Sequence, residues 1–67
     1  MAETELEQVQ RHIAEGEVRI LRQRALVAEL KRDRRMGLAE EAERLLAQFL
    51  AIQAQHETHA KRLGQIR

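Results

Sequence analysis

Sixty-seven residues with no cysteine, proline, tryptophan or tyrosine and a single phenylalanine allow at most one small domain. They exclude disulfides and thiolate metal sites. A chain this short buries too little surface for a comfortable core and ordinarily needs a metal, a disulfide or a partner chain. The formal charge of +1 argues for no class of partner by itself.

The start, Met1-Ala2-Glu3-Thr4-Glu5, is acidic and polar, whereas a signal peptide has a basic start and an apolar run. No stretch of about 18 apolar residues exists, so a cytoplasmic protein without a membrane span is expected. Thr4 is placed to cap a first helix, with Glu7 at the capping-box position. From there the apolar seam runs Leu6, Val9, Ile13, Gly16, Ile20, Gln23, Val27, Leu30, in alternating steps of three and four. Residues 1–17 hold five Glu against Arg11, and residues 19–35 hold seven basic side chains against Glu29 and Asp33. Acids near the N-terminus and bases near the C-terminus complement the dipole of one helix, expected over about residues 3–34. Glu7–Arg11 and Glu15–Arg19 have the favourable i,i+4 order.

The phase breaks at Arg34-Arg35-Met36-Gly37. Gly37 suits a left-handed C-terminal position or an N-cap, and a turn is expected over about residues 35–37. A second helix, about residues 38–65, then carries the seam Leu38, Ala42, Leu45, Phe49, Ile52, His56, His59, Leu63, Ile66. This seam is displaced by one residue, about 100°, from a continuation of the first. The chain therefore reads as all-α, an antiparallel two-helix hairpin resembling a coiled coil. Folding at about residue 36 sets Gly16 opposite His56, Gln23 opposite Phe49, Ile13 opposite His59 and Leu6 opposite Ile66. Small against large suits an interdigitated core.

A second apolar line, Val18, Leu21 and Ala25, with Leu46 and Leu50 on the second helix, has no partner within one hairpin. Such a patch marks an interface. These five residues are the expected oligomer interface, most simply of a homodimeric four-helix bundle with two-fold symmetry.

Histidine supplies the one cluster with chemical potential. His56 and His59, with His12 and Glu15, are the residues placed to converge as metal ligands from facing helices. The favoured reading is structural, with His56 filling the space left by Gly16 beside Glu15, and neither a metal nor another cofactor is expected. Gln23 reads as a polar seam residue that fixes register. Lys31, Arg32, Arg34 and Arg35 are the candidate phosphate contacts. With one phenylalanine and no tryptophan or tyrosine to stack on bases, dipole complementation at a solvated helix end is preferred. Nothing converges on catalysis: the chain has no Ser or Cys and no Gly-rich phosphate loop.

The run Val9…Gly16-Glu17-Val18-Arg19-Ile20-Leu21-Arg22-Gln23-Arg24-Ala25-Leu26-Val27-Ala28-Glu29-Leu30, followed by Ala39–Leu50, resembles short proteins of unknown function from alphaproteobacteria. That resemblance covers roughly residues 9–63 and implies a helical hairpin with no transferable chemistry. In length and topology, though not sequence, the chain is also similar to Rop, an RNA-binding hairpin that dimerises into a four-helix bundle. Fold alone carries no function. The expected role is a non-enzymatic, self-associating interaction module that also docks another helical protein. A nucleic-acid-associated regulator acting through the basic turn is the alternative, and a histidine-based metal-binding bundle the third.

Overall fold

A computed structural model describes residues 2–65. It consists of two antiparallel helices, α1 (Glu5–Arg32) and α2 (Met36–Gln65), packed along their length in a body of 51 × 21 × 12 Å. No strand occurs among the described residues. None of the helices is long and apolar enough to cross a membrane.

The N-terminus of α1 forms as its sequence dictates. Thr4 Oγ1 accepts from the Glu7 amide at 3.1 Å, and the Glu7 carboxylate accepts from the Thr4 amide at 3.1 Å. Two donors that a helix start leaves orphaned are thereby satisfied. Committed to the cap, Glu7 is not the partner of Arg11. The guanidinium instead grips Glu3 through Nε and Nη2, both at 3.1 Å, and reaches Glu15 at 3.0 Å.

The turn lies at Asp33-Arg34-Arg35, two residues earlier than the spacing predicts. Arg34 takes the left-handed conformation, with φ of 59°. Its amide donates to Lys31 O at 3.0 Å, and the Arg35 amide donates to Leu30 O at 2.9 Å. These two bonds define a Schellman motif. The Arg35 carbonyl then accepts from the Ala39 amide at 2.9 Å, so the residue that closes the turn also starts α2. Gly37 is therefore neither a left-handed terminus nor a cap, but the second residue of α2 with no positive φ. Glu40 and Glu41 fall in the second turn of α2, which has no acid in its first.

All eight predicted seam positions of α1 face α2. Val9, Gln23 and Val27 are buried, and Leu6, Ile13, Gly16, Ile20 and Leu30 are half-buried. The seam of α2 differs. Ala39, Ala42, Leu46, Phe49, Gln53, His56, Ala60 and Leu63 turn inward, while Leu38, Leu45, Ile52 and His59 are exposed. The shared positions are Ala42, Phe49, His56 and Leu63. The other four predicted positions are each displaced by one residue, and Ile66 lies outside the described residues.

The cause is steric. Alanines at 39, 42 and 60 let the helices approach closely, and Ala39 is only 1% exposed. Larger neighbours such as Leu38 would hold the helices apart. The register moves with the rotation. Gly16 meets Gln53 rather than His56, three residues further along. A Cβ built on Gly16 would fall on Gln53 Oε1 and lie 3.0 Å from its Cδ. Gln53 Nε2 donates to Ile13 O at 2.9 Å, and Gln23 Nε2 donates to Ala42 O at 2.9 Å. Each helix thus contributes one buried glutamine that pins a backbone carbonyl of the other. Buried amides unpaired elsewhere would be costly, so the two bonds select this register over its neighbours.

Candidate functional site

Two features stand out from this frame: a histidine recess toward the chain ends, and an apolar groove toward the turn. The register brings His12 against His56, with ring centroids 5.3 Å apart and planes tilted by 36°. Glu15 and Arg19 complete the rim of an open recess of about 190 Å³. His56 Nδ1 is buried with no hydrogen-bond partner, beside a cavity of about 10 Å³ lined by Gly16, Phe49, Ile52 and Gln53 among others. That is room for a single water.

Of the four predicted metal-ligand candidates, His12, Glu15 and His56 therefore line one recess, and His59 does not. His59 Nε2 lies 3.3 Å from Glu5 instead, and the pair carries an ionic interaction only when the imidazole is protonated. Nor does Glu15 hydrogen-bond His56. Its carboxylate is taken by Arg11 at 3.0 Å. Arg19, whose guanidinium carbon sits 5.6 Å from the Phe49 ring centroid, lines the same recess and repels a cation there. Among the described residues no three His, Cys, Asp or Glu side chains gather as a metal site. What the arrangement offers is a polar rim, part imidazole and part guanidinium, with its one carboxylate already paired.

The predicted phosphate contacts also meet acids that the linear sequence placed elsewhere. Lys31 Nζ lies 2.7 Å from Glu43, both about half exposed. Arg32, Arg34 and Arg35 are exposed around the turn. Residues 29–44 carry five acids against five bases, and the hairpin folds them to one end, so the turn is locally balanced rather than strongly basic.

The expected interface residues divide. Val18, Leu21 and Ala25 are exposed on the back of α1, with Leu21 at 70%, and Leu50 is exposed on α2. Leu46 is instead a half-buried seam residue, turned inward by the rotation of α2. That same rotation exposes a line the sequence had assigned to the core: Leu38, Leu45 and Ile52, at 41–49%. With Leu26 and Leu30 of α1 and Ala42 of α2, Leu38 and Leu45 line a groove of about 290 Å³ on one side of the hairpin. The signal in the sequence was the width of the apolar face of α2, which has a third apolar line beside the two of its seam. A two-stranded coiled coil uses two such lines, and the core-facing helices of a bundle use three.

No family model matches the chain, and neither a curated protein nor a solved structure matches it significantly.

Proposed function

We propose that this protein is a non-enzymatic, self-associating helical interaction module whose working form is a homodimeric four-helix bundle. The observation that carries this reading is the surface of the single hairpin. It exposes 5514 Å², against roughly 4,400 Å² for a compact monomer of 7.8 kDa. The surplus, roughly 1,100 Å², is comparable to the roughly 800 Å² that each partner buries in a standard stable interface. Among the described residues no large side chain is fully buried, and the buried apolar residues are Val9, Val27, Ala39 and Ala42. With the larger seam residues only half-buried, the single hairpin buries too little apolar area to offset the entropy of ordering two helices of 28 and 30 residues.

Stability must then be tied to concentration. Thermal unfolding followed by circular dichroism is expected to shift upward as the chain is concentrated over two decades, because assembly draws on the folded state alone. A midpoint independent of concentration, at full helicity, contradicts the proposal.

A further inference from the structure

Resting on that reading of self-association, we infer that the second copy docks on the Leu38–Leu45–Ile52 face, with its two-fold axis passing at the level of Leu45 and the two turns at opposite ends. The back face of Val18, Leu21 and Ala25 then stays in water.

Three observations converge on this arrangement. Leu38, Leu45 and Ile52 recur at intervals of seven, so they form one straight line on the flank of the seam, about 21 Å long at the rise of an α-helix. Leu38 and Leu45 face Leu26 and Leu30 across the groove, with Gln23 and Glu41 at its edge, so both helices contribute to one largely apolar surface, and Ile52 extends the line beyond the groove beside Phe49 and His56. The back face of α1 has no such continuation across to α2, because Leu46 has turned inward.

Symmetry selects the direction. An isologous contact must map onto itself. A two-fold through Leu45 sends Leu38 onto the partner's Ile52 and Leu45 onto the partner's Leu45, apolar against apolar throughout. The charges obey the same operation. Gly16 against Gln53 and Arg19 beside Phe49 put residue 24 of α1 level with Leu45. Arg19 and Glu29 lie five residues to either side of that level, on the helix that flanks the groove. The operation therefore brings each Arg19 level with Glu29 of the other copy, opposite charges that match only when the hairpins run in opposite directions.

The absence of native cysteine makes the test direct. Single-cysteine variants Leu45→Cys, Leu38→Cys and Ile52→Cys are prepared in the full chain and oxidised under native conditions. Leu45→Cys is expected to form a disulfide-linked dimer. An equimolar mixture of Leu38→Cys and Ile52→Cys is expected to cross-link at least tenfold faster than either variant alone. Leu38→Cys linking to itself as fast as Leu45→Cys overturns the inference in favour of turns at one end. In parallel, sedimentation velocity compares Leu45→Glu with Leu21→Glu. Leu45→Glu is expected to be a monomer of reduced helicity and Leu21→Glu a helical dimer. The reverse pattern overturns the choice of face while leaving self-association standing. A wild-type chain that sediments as a monomer overturns both, and is distinguishable from the other outcomes for that reason. A mixed species containing one copy of this chain and a different helical protein, with no homodimer, likewise counts against the inference.

Discussion

Alanine for glycine inside a helix ordinarily gains about 1 kcal/mol. At Gly16 the register predicts the opposite sign. The added methyl would land on Gln53 Oε1 and within 3.0 Å of its Cδ. A flexible side chain at the surface would yield, but Gln53 is 7% exposed and its amide is held 2.9 Å from Ile13 O. To move, it must surrender that bond, about 1 kcal/mol, and leave a carboxamide unpaired in the seam, about 1–2 kcal/mol more. Against the propensity gain, Gly16→Ala should destabilise by roughly 1–2 kcal/mol. In a Gln53→Ala background the obstruction is gone, and Gly16→Ala should stabilise by about 1 kcal/mol. The two sites are thus coupled by roughly 2–3 kcal/mol, at the top of the range for residues in contact. The four proteins of this cycle are compared by urea unfolding with far-ultraviolet circular dichroism, at one chain concentration because assembly contributes to stability. If Gly16→Ala stabilises the wild-type chain as it does the Gln53→Ala variant, Gln53 does not occupy the glycine notch and the register is wrong.

Five further outcomes follow from local geometry. Arg34 holds a left-handed φ of 59°, which costs a residue with a Cβ about 1–2 kcal/mol, so Arg34→Gly should raise stability by up to about 1 kcal/mol in urea unfolding. Gly37→Ala, with nothing within 4 Å of the new methyl, should add to it rather than clash. Thr4→Ala removes the α1 cap and should cost about 1 kcal/mol in the same measurement. The bond from the Thr4 amide holds the Glu7 carboxyl below its ordinary range. Because the folded value is depressed, the stability it contributes is complete above the usual carboxylate range and is lost as pH falls through it. An acid titration of helicity should therefore flatten in Glu7→Gln, which keeps a capping-box side chain without its charge. Removing the half-exposed Lys31–Glu43 pair by Lys31→Ala should change stability by no more than about 0.5 kcal/mol.

The helices, their antiparallel pairing and the capped start of α1 were legible in the sequence because each is a local or periodic property. Leu6, Val9 and Ile13 admit one helical face, and Gly16 and Gln23 fall on it. The face of α2 was not legible to the same degree, because two solutions coexist there. Leu38, Leu45 and Ile52 make a seam of larger residues, whereas Ala39, Leu46 and Gln53 make one that lets the backbones approach. Ranking positions by hydrophobicity favours the first, and packing against Gly16 and hydrogen bonding to Ile13 favour the second. Gln53 could not be singled out from a polar letter alone. Its role depends on a carbonyl 40 positions away. The error carried a consequence for the site as well. Rotating α2 by one residue moved Leu46 inward, separated His59 from His12 and His56, and left exposed the leucines that now form the proposed interface. At the turn, charge and a glycine suggested Gly37, yet the backbone turned at Arg34, where no residue type announced it.

Sedimentation equilibrium of the wild-type chain beside Leu45→Glu decides whether the chain assembles through the Leu45 face. The wild-type species is expected at twice the 7.8 kDa chain mass, and Leu45→Glu at the mass of one chain with its helicity reduced. A wild-type chain that stays at 7.8 kDa across the micromolar range, or a Leu45→Glu chain that remains at twice that mass, contradicts that assembly.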